Sequence, residues 1–386
     1  MRSPSIRSRS SPRRPSRESA VRAFGRQGGR TVLLEPDDVR SLSAGALFNA
    51  SAAQPEWCVD GMRRVLGHME ATGSRPELLQ ATELDPEALV VSIGFVNNGL
   101  SLSELRPVGD EFLTAIDLVA EAMGREVAGL IPLAAGNTNA VLPFLVGMQS
   151  GLPVIDADPM GRIFPLVSQT VFALAGLPIG PIAAVSALGE SALLRVEEPA
   201  RGERLLRSLA GEFGGWAATA TYPMSAGTLA RSGILGSLQN LIDIGRVLES
   251  PRSTELKHAD LRRSCGVRQI VRARVSEDTW LARPWAPSRV GTPASVVLVE
   301  ETRGQIVQLE VQSEILMMLS DGAVRAVSPD IITLLHPEDC SVASLDDLWT
   351  GNVIDICVLP AARPWYTPEG RALGRRPSLA ITEGGA

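Results

Sequence analysis

The sequence predicts an α/β protein, with an amino-terminal domain built on a parallel sheet and a carboxyl-terminal strand-rich domain. Three observations predict it. From Leu89, short wholly apolar runs alternate with helix-period segments, the pattern of strands buried on both faces between crossover helices. After Pro251 the chain turns charged, and from about Ser295 it alternates short β-type runs with turns. Of the 386 residues, 45% are hydrophobic, enough for the cores of two or three domains.

The elements follow in order. Residues 1–30 carry nine arginines against one glutamate and are rich in Ser and Pro, with almost nothing to bury. This composition predicts a disordered basic extension, read as a nucleic-acid contact, an address signal or a non-native extension. The amino-terminal domain is expected over 31–250. VLLEPDDVRSLSAGALF gives a strand, then a helix opened by Glu35-Pro36-Asp37-Asp38, with acids in its first turn. ASAAQPEWCVDGMRRVLGHMEA reads as a loop and a helix. LVVSIGF (89–95) is a buried strand, and residues 109–123 place Phe112, Ile116, Val119 and Met123 on one helix face, stopped by Gly124. VAGLIPLA (127–134) is a second strand. AVLPFLVGMQSG is a short helix that Pro143 predicts to start late, and PVID (153–156) is a third strand. TLARSGILGSLQNLIDIGRVLES (228–250) predicts one long helix with Ile234, Leu235, Leu238, Leu241, Ile242 and Leu248 as its stripe. The carboxyl-terminal domain is expected over 251–380, with strands in SVVLVEE, QIVQLEVQ, EILMMLSDG, AVRAVSPDIITLL and DICVLP.

Composition narrows the function. No apolar run reaches the length of a membrane helix. Cys58, Cys265, Cys340 and Cys357 are isolated from one another and predict a reducing, cytoplasmic setting. His68, His258 and His336 are too far apart in sequence to suggest a zinc cluster. Lys257 is the only lysine, no phosphate-loop motif is present, and STELKHAD reads as an exposed segment, which disfavours Schiff-base chemistry. The body without its first 30 residues carries −14, given a total of −6 and an extension of +8, which argues against nucleic acid as the partner of the folded part. No cofactor is expected, a metal requirement is left open, and association into a homo-oligomer stays open.

In parallel α/β sheets, ligands bind beyond the carboxyl ends of the strands. That rule gathers three loops: Asn97 and Asn98 after the first strand, Gly136, Asn137 and Asn139 after the second, and Asp156, Asp158 and Arg162 in VIDADPMGR (154–162). Two close carboxylates can divide acid and base roles, and asparagine both donates and accepts. The same residues have a plainer reading, in which Asp-x-Asp is a turn and helix cap and Arg162 pairs with one aspartate. Cys58 could face such a pocket, although a buried, inert thiol is its ordinary fate.

Several stretches resemble one family. GLPVIDADPMGRIFP (151–165), GGWAATATYPMSAGTL (214–229), GILGSLQNLIDIGRVL, VSPDIITLL (327–335) and RPWYTPEGRALG (363–374) are similar, in order and spacing, to the S-methyl-thiohydantoin desulfurase family, which is often associated with hydantoinases. The resemblance covers about residues 31–380. It implies a swivelling β/β/α unit in the carboxyl-terminal domain and a hydrolase-type desulfurase acting on a five-membered heterocycle, an S-methyl-thiohydantoin-like or hydantoin-like cyclic amide. Within it, Asp156 or Asp158 would be the base, Arg162 would hold negative charge, and Asn97, Asn98, Gly136, Asn139, Tyr222 and Ser225 would bind substrate. The alternative is a non-catalytic binding or partner subunit of a hydantoinase-type system, which would account for the polar residues this chain lacks. The chain departs from the family pattern where a glycine-rich turn is expected, reading FNASAAQPEW (48–57), and where glutamates are expected, at Ala134 or Ala135 and at Leu166; Ser313-Glu314 stands for an expected Asn-Glu. These losses predict an altered substrate or lost catalysis.

Overall fold

The computed structural model describes residues 32–51, 55–97, 107, 109–278, 294–312 and 314–374. The basic extension, Asn98 and Ser313 lie outside them. The first half runs β1 (Val32–Leu33), α1 (Pro36–Asn49), α2 (Pro55–Thr72), β2 (Glu77–Leu79), β3 (Leu89–Asn97), α3 (Glu111–Met123), β4 (Val127–Pro132), α4 (Asn137–Ser150), β5 (Val154–Ile155) and β6 (Ala157–Asp158). It continues through α5 (Val171–Leu174), β7 (Ile182–Val185), β8 (Ser191–Leu194), α6 (Pro199–Glu212), β9 (Trp216–Ser225), α7 (Ala226–Ser232), β10 (Ile234–Leu235) and α8 (Ser237–Glu249). Then follow α9 (Thr254–Ser264), β11 (Gln269–Asp278), β12 (Ala294–Glu300), β13 (Ile306–Val311), β14 (Ile315–Ser320), β15 (Ala323–Val327), β16 (Ile331–Leu335), β17 (Val353–Leu359) and α10 (Pro368–Gly374).

The first sheet has eight strands in the order β1-β2-β5-β4-β3-β9-β7-β8. Its centre, β2-β5-β4-β3, is parallel, as the alternation of strands and helices predicts. Antiparallel strands extend it on both sides, with β1 against β2 and β9 against β3 and β7. Helices cover both faces. Leu89, Val91, Ile93 and Leu130 pack under α1, α2, α3, α4 and α8, whereas Val90, Ile131 and Ile155 pack on the opposite side with Phe172, Leu206 and Leu229. Successive β3 residues therefore alternate between two cores, which is why the strand reads as an unbroken apolar run.

The second sheet has seven antiparallel strands in the order β15-β14-β13-β12-β11-β17-β16. Val296, Leu298, Val307 and Leu309 sit on one face and their neighbours along the strand are more exposed, the period-2 pattern of a sheet with one dry side. Its inner strand β11 comes from the charged stretch after Pro251. Arg272 and Asp355 lie opposite each other on β11 and β17 and pair in a fork, Nε to Oδ1 and Nη2 to Oδ2, both 2.8 Å.

Helices α1 and α8 form the layer shared by the two sheets. Their one side, with Leu42, Ala46, Leu238 and Leu241, belongs to the core of the first sheet. Their other side, with Phe48, Ile244 and Leu248, packs on Ile331, Cys357 and Leu359 of the second. The two helices cross almost backbone to backbone. A Cβ on Gly45 would stand 1.9 Å from the Leu241 carbonyl oxygen, and one on Gly245 would stand 1.8 Å from that of Ser41. The pairs 41/245 and 45/241 fix an antiparallel register that, carried one turn further, brings Asn49 opposite Ser237.

Three expectations change. The long helix over 228–250 is broken into α7, β10 and α8, because Ile234 and Leu235 leave the helix to pair with Asp158 and Ala157 and Gly236 takes a left-handed φ of 75°. Helix α4 runs from Asn137 through Pro143 without starting late. Lys257 is not exposed; it is buried, and its Nζ donates to the carbonyls of Leu248 (2.6 Å) and Asp339 (2.8 Å), tying the end of α8 to the loop before Cys340.

Gly245→Ala is expected to destabilise the protein by about 3 kcal/mol or more, since the new methyl meets backbone that cannot move aside. Gly211→Ala, where a Cβ meets nothing, is expected to be neutral or to stabilise by up to about 1 kcal/mol. Urea unfolding midpoints of the two variants check this.

Candidate functional site

The loop that follows β5 is where the first sheet, α8 and the second sheet are joined. Asp156 is buried. Its Oδ1 accepts from the backbone N–H of Leu238 (2.9 Å) and Gln239 (3.1 Å), its Oδ2 accepts from Gln80 Nε2 (3.1 Å), and its carbonyl takes the N–H of Gly236 (2.9 Å). It is thus the cap of α8 supplied from a distant strand, because the local N-cap position is Gly236, which has no side chain to offer.

Asp158 is fully buried as well. Its Oδ2 gathers the N–H groups of Ala135 (2.9 Å), Met160 (2.8 Å) and Gly161 (2.7 Å), so one oxygen closes its own turn and holds the loop after β4. Its Oδ1 has no hydrogen-bond partner. Burial pushes the carboxyl up to about 6, although the backbone donors of Gly161 and Met160 and the neighbouring Ser237 hydroxyl pull the other way. Ser237 Oγ faces this carboxylate without completing a hydrogen bond of ordinary geometry, and it too is buried without a partner.

Arg162 does not pair with either aspartate. It reaches across to the second half of the chain. Nη1 donates to the carbonyls of Pro329 (2.6 Å) and Asp330 (2.9 Å), Nη2 bonds Glu314, and Nε donates to the Ile163 carbonyl (3.0 Å). The guanidinium lies 4.8 Å from the Phe164 ring centre. A fully buried guanidinium with every face engaged is a clamp between the two halves. Trp365 adds to it by donating from Nε1 to the Met160 carbonyl at 2.7 Å.

The other predicted residues separate into two groups. Gly136 and Asn139 lie at the carboxyl edge with Asp158. Gly136 packs against Ile163, and Asn139 Oδ1 accepts from the Phe95 N–H (2.9 Å), tying α4 to β3. Asn97 ends β3 at the same edge. Tyr222 and Ser225 lie toward the other end of the sheet. Strand β9 runs antiparallel to β3, so Trp216 stands beside Asn97 whereas Ser225 stands beside Leu89. Tyr222 is buried with its hydroxyl donating to the Val167 carbonyl (3.1 Å) and accepting from Thr170 (3.1 Å); burial raises its pKa. Ser225 caps α7, accepting from the Thr228 N–H (3.2 Å). Cys58 does not face a pocket; it is buried beside Ser43, and burial pushes it up to about 12.

A cleft of about 310 Å³ opens beside the loop, between the two sheets. Asn49, Gly161, Gly236, Ser237 and Asn240 line it from the first half, and Ile331, Leu359 and Ala362 from the second. Asn49 ends α1 and is buried; its Nδ2 donates to the carbonyls of Ala135 (3.1 Å) and Gly161 (3.4 Å), while its Oδ1 has no partner. Buried polar atoms without a hydrogen-bond partner occur on two residues that line the cleft, Asn49 (Oδ1) and Ser237 (Oγ), and on Asp158 (Oδ1), whose fully buried carboxyl neighbours Ser237 and does not itself line the cleft. Each costs about 1–3 kcal/mol when left unsatisfied. Cys265 also lines the cleft, but burial pushes its thiol up to about 11, which keeps it protonated. Among the described residues, no group of three or more His, Cys, Asp and Glu is placed to hold a metal ion. No helix among them is long and apolar enough to cross a membrane.

Sequence reasoning missed Asn49 and Ser237. Asn49 lies in the FNASAAQPEW turn, which departs from the family pattern, and Ser237 follows Gly236 within what reads as one continuous helix.

The family model described as S-Me-THD-like, N-terminal domain, matches residues 37–196, and the one described as S-Me-THD-like, C-terminal domain, matches residues 197–378. Strand β9, in the segment matched by the second, lies in the first sheet. Among solved structures, the chain is similar to a protein of Chromobacterium violaceum with a TM-score of 0.69 and 21% identity, over 90% of this chain and 96% of that one, a likeness of fold. No curated protein matches the chain.

Two outcomes follow from the burial of these charges. Arg162→Met is expected to cost about 3–5 kcal/mol, because a buried carboxylate, Glu314, loses its guanidinium, and Arg162→Met with Glu314→Gln is expected to recover part of the loss. Asp158 has its folded pKa raised from 3.8 to about 6, so the native state holds a proton that the unfolded chain has already released between those values. Stability should then fall as pH rises from about 4 to 6, by about 3 kcal/mol relative to Asp158→Asn, measured by urea unfolding across that range.

Proposed function

The chain belongs to the S-methyl-thiohydantoin-desulfurase-like family, and we propose that its cleft between the two sheets binds an S-methyl-thiohydantoin-like or hydantoin-like ring and, in the S-methyl-thiohydantoin, hydrolyses the carbon–sulfur bond. The observation that carries this reading is the cluster of Asn49 Oδ1, Ser237 Oγ and Asp158 Oδ1, buried polar atoms without partners beside one cleft. A folded chain rarely leaves such atoms unsatisfied, and a site built to bind a polar ring gives a reason to do so.

Asp158 is the base in this reading, and Asp156 is not. The Asp156 carboxylate is occupied by the α8 N–H groups and Gln80. Asp158 keeps one oxygen, and a carboxyl near 6 is ionised at neutral pH while still basic enough to take a proton in a transition state. Ser237 stands between that oxygen and the cleft. A water held by Ser237 adds its oxygen to the ring carbon that bears sulfur. One of its protons passes through the Ser237 hydroxyl to Asp158, and the other stays with the product ring on nitrogen. The C–S bond breaks, the thiolate takes the proton back from Asp158, and methanethiol leaves a carbonyl behind. Arg162 takes no part, since its hydrogen bonds are spent on Glu314 and on the 329 and 330 carbonyls.

A second reading, a non-catalytic binding partner of a hydantoinase-type enzyme, is favoured by the same assignment of bonds. With Asp156, Arg162, Tyr222 and Ser225 all holding the fold, no carboxylate stands among the described residues that line the cleft, and the Asp158 carboxyl is reached only through Ser237.

Methanethiol release from a panel of S-methyl-thiohydantoins separates the two. Catalysis predicts release that falls about 10²- to 10⁴-fold in Asp158→Asn, the range for loss of a general base. Folded protein that binds the same compounds by calorimetry without releasing thiol would replace it with the binding-partner reading.

A further inference from the structure

The cleft carries a statement about which rings it accepts, resting on the reading of it as a cyclic-amide site. The unsatisfied atoms are of one kind. Asn49 Nδ2 is committed to two backbone carbonyls, so the amide cannot turn, and Oδ1 is left as an acceptor. Asp158 Oδ1 is an acceptor as well, and Ser237, whose hydroxyl faces it, is the only one of the three that can donate. A ligand that satisfies this set has to bring hydrogens of its own.

Nor is the cleft an anion site. It opens beside the amino end of α8, but the N–H groups of Leu238 and Gln239 there are already held by the Asp156 carboxylate. An incoming anion would meet that charge, the Asp158 carboxylate and the Asn49 acceptor. Apart from Asn240 and Cys265, the remaining side chains of the wall are apolar, among them Ile234, Leu235, Ile331, Leu359, Pro360 and Ala362.

We infer that the cleft selects a neutral five-membered ring that points an N–H edge at Asn49 and lays an uncharged apolar substituent on the opposite wall, and that Asn49 Oδ1 is the residue that reads the N–H. It is a specificity residue and takes no proton. In this reading the turn that departs from the family pattern has exchanged backbone approach for a side-chain acceptor.

Two rings of the same size test it by isothermal titration calorimetry on the full chain: 5-isobutylhydantoin, which has ring N–H groups, and an isobutyl-γ-butyrolactone, which has none. Neither can release methanethiol, so binding is read apart from turnover. The hydantoin is expected to bind about 10- to 100-fold tighter, the effect of leaving a buried acceptor unpaired. Asn49→Ala should bring the ratio below about threefold if Asn49 is the reader, since the acceptor is then gone. Where Asn49→Ala does not fold, the wild-type ratio stands as the test. Equal binding of the two rings by wild type would overturn the inference while leaving the cleft as a ligand site, and an unchanged ratio in folded Asn49→Ala would overturn the role of Asn49. Binding of neither would remove the cyclic-amide reading and the inference together.

Discussion

The close crossing of α1 and α8 is the constraint on which the rest of the molecule depends. Two helices that approach backbone to backbone admit no side chain at the crossing, so Gly45 and Gly245 are required there by space. Other residues on both helices then face outward on two sides, toward the first sheet through Leu42 and Leu241 and toward the second through Phe48 and Ile244. A single helical layer thus serves two sheets. The cleft lies at one end of that layer, where α1 finishes and α8 begins.

The same register explains why the site residues come from such distant parts of the sequence. Asn49 and Ser237 are brought together by the two glycine contacts, one and two turns away, and the Asp156–Arg162 loop threads between them and the second sheet. Nearly every polar group of that loop is spent on the fold: Asp156 on the start of α8, Asp158 Oδ2 on three N–H groups, the Gly161 carbonyl on Asn49, and Arg162 on Glu314 and two carbonyls. Buried charges of this sort contribute little net stability compared with apolar packing, but removing one partner is costly. A motif that distinctive in sequence is therefore explained first by architecture. The reaction proposed above draws on the one carboxylate oxygen that the architecture does not use.

This division also accounts for what was legible beforehand. The parallel strands β3, β4 and β5 were readable because each is apolar on both faces, and the carboxyl-edge rule then gathered Asp158, Gly136 and Asn139 correctly at one end. Tyr222 and Ser225 could not be placed, since nothing in WAATATYPMS states that β9 runs antiparallel to β3 and carries them to the other end. The stripe over 228–250 concealed a break, because Ile234 and Leu235 are as apolar in a two-residue bridge as in a helix; Gly236 was the only local sign. Lys257 looked exposed in a charged segment, yet the end of α8 leaves carbonyls that a buried ammonium can satisfy. Asn49 was hidden for a different reason. Its role depends on an acceptor left over after its own amide is used, and such a remainder exists only in three dimensions.

The turn after Asn49 shows how the altered segment still holds the halves together. Ser51 sits at a left-handed φ of 54°, a conformation that costs a residue with a side chain about 1–2 kcal/mol and costs glycine little. A glycine there would relieve the backbone. The serine keeps the strain and returns two contacts with the second sheet, donating from Oγ to the Ile332 carbonyl (2.5 Å) and accepting from the Ile315 N–H (3.2 Å). Hydrogen bonds of about 1 kcal/mol each offset the strain and leave little net stability, so what the side chain supplies is position. It pins the second sheet against the end of α1 beside the Arg162 clamp, since Glu314 is the residue just before Ile315. Ser51 and Arg162 are thus two bridges that tie the end of α1 and the loop after β6 to the second sheet, close in sequence to Asn49 and Gly161, which line the cleft.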